Sequence, residues 1–123
     1  MSDPAEEQLQ QAQQALDDAT GALEADLSDA VIVNRLYYAC FHAAQAVLYD
    51  RGFEPTSHGA VLSLFGSEVV VDGDASRDQG RFLNDLSTLR KQADYGYEPI
   101  DEDVGALLEE ARAFVETTQR LVE

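Results

Sequence analysis

The chain is poor in the residues that mark secreted or membrane-spanning proteins. Among its 123 residues there is one cysteine, one lysine and no tryptophan, and only three are proline. The lone Cys40 excludes an intramolecular disulfide, and its apolar neighbours predict a buried thiol. No apolar run approaches the roughly 18 residues of a membrane span, and the N-terminus lacks the basic and apolar regions of a signal peptide. We therefore expect a cytoplasmic protein with no membrane segment.

Positive charge is also scarce. The chain has 24 acidic and 8 basic side chains, for a formal net charge of −16, which excludes a generally basic nucleic-acid-binding surface. The acids are spread along the whole chain, and 45% of the residues are apolar, so we expect the chain to fold. The pattern is typical of a halophilic protein, since the Debye length falls to about 3 Å at about 1 M salt. The alternative is an acidic protein whose carboxylates serve only solubility.

Apolar residues recur at spacings of three and four along most of the chain, which predicts helices. The expected helix starts are Ser2 or Asp3, Ser28 or Asp29, Thr56 or Ser57, and Asp101 or Asp103, with turns or breaks at Gly52, Gly73 and Gly96. The third helix is expected to end near Gly66 or to continue through residues 69–71. No segment shows the alternation of a strand. The prediction is a single all-α domain over residues 1–123, an up-and-down bundle of four or five helices.

The second predicted helix is the most apolar segment and has two distinct faces. Its apolar face comprises Leu36, Tyr37, Cys40, Phe41, Ala44, Val47 and Leu48. Its polar and aromatic face comprises Arg35, Tyr38, His42, Gln45 and Tyr49. An amphipathic helix of this kind is expected at the centre of a bundle, with the polar face lining a cleft or a subunit contact.

Several common types of site are missing from the sequence. Neither His42 nor His58 follows a Glu by three residues, as the ligands of a di-iron bundle do. No pair of glycines has the spacing of a P-loop or a Rossmann turn, and no nucleophile elbow supports a Ser-His-Asp triad. We therefore predict no metal and no cofactor.

Two polar clusters remain. One is on the second helix, at Arg35, Tyr38 and His42. The other is at the end of the fourth helix, at Arg90, Lys91, Asp94, Tyr95 and Tyr97. The adjacent cations of the second cluster either compensate the helix dipole or, with the tyrosines that follow, bind a phosphate and a base.

The first cluster also has two interpretations. Arg35 either binds a ligand with Tyr38 or pairs with a carboxylate such as Asp94. His42 is either an acid–base residue, because the ordinary pKa of histidine lies near neutrality, or a core histidine whose hydrogen bond a neighbour satisfies. His58, beside a helix start, is expected to cap or pack.

Three strings of residues occur in order: NRLYYACFHAAQAVLYDRG, TSHGAV and LRKQADYGY. With them the chain resembles the HEPN domain family, in particular its small stand-alone prokaryotic members, from about residue 5 to residue 122. The acidic surface resembles that of haloarchaeal proteins. The resemblance implies a homodimeric helical bundle with a cleft at the two-fold axis. It also implies a minimal nucleotidyltransferase partner, with the two proteins acting as toxin and antitoxin.

Many HEPN proteins cleave RNA without a metal through an Arg, four to six variable residues and a His, often followed by one residue and a Tyr. On this pattern Arg90 takes the position of the Arg, Tyr95 that of the His and Tyr97 that of the Tyr. A tyrosine with a pKa of about 10 is a poor base at neutral pH. A ribonuclease would therefore need His42 as acid–base residue, with Arg90 stabilising the phosphorane.

The alternative is a non-catalytic HEPN module. In that case Arg90, Lys91 and the tyrosines bind a nucleotide, an RNA end or the partner nucleotidyltransferase. The resemblance also makes Tyr97, or Tyr95, a candidate for adenylylation by that partner, which would add negative charge beside Arg90.

Overall fold

The computed structural model describes residues 3–96 and 99–122. Within these residues the chain is all-helical and contains no strand, which confirms the predicted fold class. The helices are α1 (Pro4–Glu24), α2 (Asp29–Asp50), α3 (His58–Phe65), α4 (Arg77–Tyr95) and α5 (Val104–Val122). A short π-helical segment, Gly66–Val70, continues α3.

The helix starts follow local side-chain chemistry. The predicted caps at Asp3, Ser28, Ser57 and Asp103 are confirmed, each accepting a hydrogen bond from a backbone N–H of the first turn. A cap that was not predicted begins α4, where Ser76 and Gln79 form a reciprocal capping box. The caps satisfy N–H groups that have no partner within the helix, and they fix where each helix begins.

The third helix was expected to end near Gly66 or to continue through residues 69–71, and the structure contains elements of both. Regular α-helix stops at Phe65, and the π-helical turn then carries the chain through the buried Val69. Gly73 forms the predicted turn with a φ of +84°, a conformation that glycine adopts without steric cost. Arg51, just after α2, donates to the backbone carbonyl of Glu68 at 2.8 Å and ties this segment to α2.

The central element of the bundle is α2, which packs against α1, α3, α4 and α5. The residues of its predicted apolar face are all buried, and Ile32, Val33, Ala39, Ala43 and Ala46 are buried with them. The residues of its predicted polar face are all half-buried. Since burial of one large aliphatic side chain stabilises a fold by about 1.5–3 kcal/mol, α2 contributes a large part of the core energy.

Replacing Leu36 by Ala tests this arrangement. Leu36 is fully buried, so we expect the Leu36→Ala variant to lose about 2–5 kcal/mol of unfolding free energy through lost burial and a residual cavity. Urea denaturation followed by circular dichroism measures the loss. Val71 is 78% exposed, and Val71→Ala serves as the control, with an expected change below about 0.5 kcal/mol. Similar losses in both variants would contradict a core centred on α2.

Candidate functional site

The guanidinium of Arg90 lies against α2 and is held on several sides. Its Cζ is 5.1 Å from the ring centroid of Tyr37 and 5.8 Å from that of Tyr38, both cation–π distances. One turn further along α4, the Oδ2 of Asp94 accepts from Nη1 of Arg90 at 3.2 Å. The Arg90 side chain is only 14% exposed. Since α4 continues to Tyr95 and has no basic residue in its last turn, compensation of the helix dipole does not explain Arg90.

His58 meets the same two tyrosines from the start of α3. Its Nδ1 lies 2.8 Å from the hydroxyl of Tyr37, within hydrogen-bond distance. Its ring stacks on Phe41 with centroids 4.3 Å apart and planes inclined by 20°, and it meets Tyr38 edge-on at 6.0 Å. His58 itself is exposed. Of the two roles expected for it, packing is confirmed by its stack on Phe41, whereas the cap is its neighbour Ser57.

The electrostatics of this contact favour a neutral imidazole. Partial desolvation lowers the pKa of His58, and the positive charges of Arg90 and Lys91 lower it further. Burial raises the pKa of Tyr37, although the Arg90 guanidinium and the hydroxyl of Ser87 act in the opposite direction. Near neutral pH the site therefore combines a charged guanidinium, a neutral imidazole and a protonated phenol.

His42 and Arg35 lie on the other side of Tyr38. The Cζ of Arg35 is 5.3 Å from the Tyr38 ring centroid, and the ring of His42 is 6.2 Å from it. The Nδ1 of His42 donates to the Oε1 of Gln8 at 2.7 Å, because a carbonyl oxygen can only accept. Burial, Arg35 and His58 all lower the pKa of His42. A pocket of about 210 Å³ opens here between α1 and α2, with Gln14 in its wall.

The two polar clusters that the sequence suggested are therefore one site centred on Tyr38. Both arginines and both histidines contact the ring of Tyr38, although they come from three different helices. We call this set the basic–aromatic cluster; it comprises Arg35, Tyr37, Tyr38, His42, His58 and Arg90. The arrangement can hold an anion and present an imidazole beside it.

The other predicted site residues that the structure describes, Lys91, Asp94 and Tyr95, lie in the last turns of α4. Asp94 pairs with Arg90 and accepts from the Asn34 amide at 3.4 Å, so the alternative in which Asp94 pairs with Arg35 is wrong. Arg35 instead donates to the Oδ1 of Asn34, from Nη2 at 2.7 Å and from Nε at 3.0 Å. Lys91 is exposed, and Tyr95 is 76% exposed at the end of α4. Tyr97 lies outside the described residues.

Other classes of site have little support in the described part of the chain. Residues 3–96 and 99–122 contain no group of three or more His, Cys, Asp or Glu side chains that is arranged to hold a metal ion. Cys40 is buried as predicted, and burial raises the pKa of its thiol well above the ordinary value. Among the helices described, none is both long and apolar enough to cross a membrane.

Comparison with known protein families gives a match over almost the whole chain. The model of the HEPN domain matches residues 5–121, which include every element of the basic–aromatic cluster. The chain belongs to the HEPN domain family. The family assignment suggested by the three sequence strings is therefore confirmed.

Relatives of this HEPN chain include proteins named as toxins. A UPF0332 protein of Thermotoga maritima is 33% identical over 114 residues, which cover 91% of this chain and 86% of the relative. "Putative toxin MJ0605" of Methanocaldococcus jannaschii is 34% identical over 72% of this chain and 66% of the relative. "Putative toxin MJ0142" of the same organism is 24% identical over 94% of this chain and 79% of the relative. The chain is thus a HEPN protein of the UPF0332 family with toxin-named homologues.

The position of His58 in this HEPN domain can be tested by titration. Replacing Lys91 by Gln removes a positive charge that disfavours the imidazolium, so we expect the pKa of His58 to rise in Lys91→Gln. NMR of the histidine ring protons against pH, at low salt, measures the shift. Arg81 lies on the same helix with its side chain 69% exposed, and Arg81→Gln is the matched control. Equal His58 pKa values in the two variants would contradict the proximity of Lys91 to His58.

Proposed function

We propose that this HEPN protein is the toxin-like component of a toxin–antitoxin pair and acts as a metal-independent endoribonuclease at the basic–aromatic cluster. The observation that carries the proposal is the placement of Arg90. Its guanidinium is held by Tyr37, Tyr38 and Asp94, within electrostatic range of an exposed histidine. A fixed guanidinium recognises phosphate oxygens and stabilises the charge that develops on phosphorus during cleavage.

The charge distribution supports one local anion site in place of a broad nucleic-acid surface. The chain has only 8 lysines and arginines and 2 histidines. Arg35, Arg90 and Lys91 lie in or beside the cluster, and both histidines belong to it. With a net charge of −16, the rest of the surface repels a polyanion, so affinity depends on contacts at the cluster. We propose a short single-stranded or looped RNA as substrate, and hence a cytoplasmic site of action.

Apart from the solvent proton that the departing 5′ oxygen takes up, the proposed chemistry uses groups that this chain supplies. In RNA, the ribose 2′-hydroxyl attacks the adjacent phosphorus while the bond to the 5′ oxygen breaks. A neutral imidazole accepts the 2′-hydroxyl proton, and Arg90 stabilises the pentavalent phosphorane. His42, expected from the sequence to be this base, and His58 both belong to the cluster.

The assembly proposed is a homodimer that pairs with a minimal nucleotidyltransferase as antitoxin, with residues 1–123 folding as one domain. Two-fold symmetry would bring two copies of the cluster to one cleft, as the HEPN resemblance implies. The acidic surface supports a salt-rich, haloarchaeal setting, in which self-repulsion is screened. In concentrated salt, phosphate contacts gain less free energy from counterion release. The affinity for RNA would then depend more on the fixed position of the Arg90 guanidinium.

One observation favours a second function, that of a non-catalytic nucleotide- or partner-binding module. Tyr95 occupies the sequence position of the family histidine, and it is 76% exposed and not a base at neutral pH. In this alternative, Arg90, Lys91 and Asp94 hold an RNA end or nucleotide, or dock the nucleotidyltransferase, and no bond is broken.

Replacing Arg90 by Ala tests the site. We expect purified protein to cleave RNA in KCl with EDTA, and Arg90→Ala to lose about 10²–10³-fold of the rate, because a fixed donor to the phosphorane is lost. The exposed Arg81 of the same helix supplies the matched control, Arg81→Ala. Cleavage products are measured on denaturing gels, and folding by circular dichroism. Unchanged cleavage in a folded Arg90→Ala protein would contradict the site. Absent cleavage with Arg90-dependent RNA binding would favour the binding module.

The proposed antitoxin relationship gives a separate test. We expect a minimal nucleotidyltransferase with ATP to transfer AMP to Tyr97 or Tyr95, with the phenol oxygen bonding to the α-phosphorus and pyrophosphate leaving. Peptide mass mapping of the wild type and of the Tyr95→Phe and Tyr97→Phe variants locates the adduct. Tyr49→Phe, at a half-buried residue of α2, is the control. An adduct retained in the Tyr95→Phe/Tyr97→Phe double variant would contradict the assignment.

A further inference from the structure

The basic–aromatic cluster contains two histidines, and their surroundings differ. We propose that His58, and not His42, is the acid–base residue of the cluster, and that Tyr37 is the positioning residue that holds its Nδ1. This proposal rests on the ribonuclease function proposed above and assigns the role that the family pattern gives to the residue at position 95.

Access to substrate favours His58. His58 is exposed at the first residue of α3, whereas His42 is half-buried in the middle of α2. The Nδ1 of His42 is engaged with Gln8 of α1, on the side of Tyr38 where Arg35 lies. A phosphodiester that reaches Arg90 therefore meets the exposed His58 more readily than His42.

The geometry fixes His58 relative to Arg90. Both groups contact the ring of Tyr37, with the Arg90 Cζ 5.1 Å and the His58 ring centroid 5.9 Å from its centroid. Stacking on Phe41 orients the plane of the imidazole, and the Tyr37 hydroxyl occupies Nδ1. Nε2 is thus the nitrogen left for substrate. A catalytic group must be placed to within a fraction of an ångström, and contacts on two sides of the ring provide this.

The charged and titratable groups around His58 keep it in the form that a base needs. Those on α2 are Tyr37, Tyr38 and His42, and those on α4 are Arg90 and Lys91. The two cations disfavour the imidazolium, so the imidazole is mainly neutral at pH 7. In the tautomer whose Nδ1–H donates to the phenol oxygen of Tyr37, Nε2 carries the lone pair, and this is the tautomer that the proposed base requires. This is the relation in which an acceptor orients a histidine base in hydrolytic enzymes.

The proposed step balances without a metal or co-reactant other than solvent. Nε2 of His58 takes the proton of the 2′-hydroxyl as the bond from the 2′ oxygen to phosphorus forms. The bond from phosphorus to the 5′ oxygen breaks, and this oxygen is protonated by water. His58 then returns its proton to solvent. The products are a 2′,3′-cyclic phosphate and a 5′-hydroxyl. A pocket of about 200 Å³ beside His58, walled by Phe41, Gln45 and Thr56, gives room for the adjoining nucleotide.

The deciding experiment compares His58→Ala with His42→Ala in the cleavage assay. We expect His58→Ala to lose about 10²–10⁴-fold in rate, the usual contribution of a general acid or base. Binding of a non-cleavable oligonucleotide with a 2′-deoxy linkage should stay within about twofold of wild type, and added imidazole should restore part of the His58→Ala rate. The rate of His42→Ala should fall less than that of His58→Ala, and added imidazole should not restore it. Rescue by imidazole separates a chemical role from a structural one.

The dependence of rate on pH gives a second readout. Since the base must be neutral, the wild-type rate should rise with pH through a pKa below the ordinary histidine value and then level off. His58→Ala should lack this acidic limb. Tyr37→Phe, which removes the partner of Nδ1, should lower kcat while leaving KM nearly unchanged.

The outcomes distinguish the role proposed for His58 from the ribonuclease function proposed for the protein. Cleavage that survives in His58→Ala but is lost in His42→Ala would overturn the assignment while leaving the ribonuclease proposal intact. No wild-type cleavage, together with Arg90-dependent binding of the 2′-deoxy oligonucleotide, would overturn the role of His58 and leave a binding module. Neither cleavage nor binding would overturn both proposals.

Discussion

The packing of the Arg90 guanidinium on Tyr37 and Tyr38 joins α4 to the central helix and organises the basic–aromatic cluster. A guanidinium does not lose its proton in proteins, so a mostly buried one must be balanced by its neighbours. Here the balance comes from the faces of two aromatic rings and the carboxylate of Asp94. A lysine could offer neither the planar stacking nor the forked donors, so the site depends on arginine.

The acidity of the remaining surface would give the proposed site its selectivity. With a formal net charge of −16, the molecule repels nucleic acid almost everywhere. In the basic–aromatic cluster, guanidinium groups from α2 and α4 and the imidazole from α3 meet around one ring, Tyr38. A ligand that is small enough to bind there escapes the repulsion that a long duplex would feel. If the cluster binds RNA as proposed, this charge pattern favours a local, flexible phosphate-bearing segment over an extended duplex.

Local signals in the sequence were sufficient to predict the helices, but not to predict which side chains meet in the basic–aromatic cluster. The caps at Ser57 and Asp103 and the two faces of α2 depend on neighbours within one or two turns, and they were predicted correctly. The pairing of Asp94 was misjudged although Arg90 lies four residues before it, the spacing at which opposite charges meet on a helix. The contacts of His58 could not be predicted from local signals for another reason. Its contact with Tyr37 spans 21 residues of sequence and exists only because the chain between α2 and α3 brings the start of α3 back beside α2.

If His58 is the base, that contact also explains how a tyrosine can stand where the family pattern has histidine. Tyr95 ends α4 and is 76% exposed, whereas the imidazole beside Arg90 comes from α3. If the base comes from another helix, position 95 has no need to titrate near neutrality. A phenol there remains free to accept a group from a partner enzyme, and a phosphoryl charge added one turn from Arg90 would compete with substrate for the same guanidinium. With the base on α3, the end of α4 would be free to carry the modified tyrosine. The phosphorane-stabilising Arg90 and the control of the site would then lie on adjacent turns of one helix.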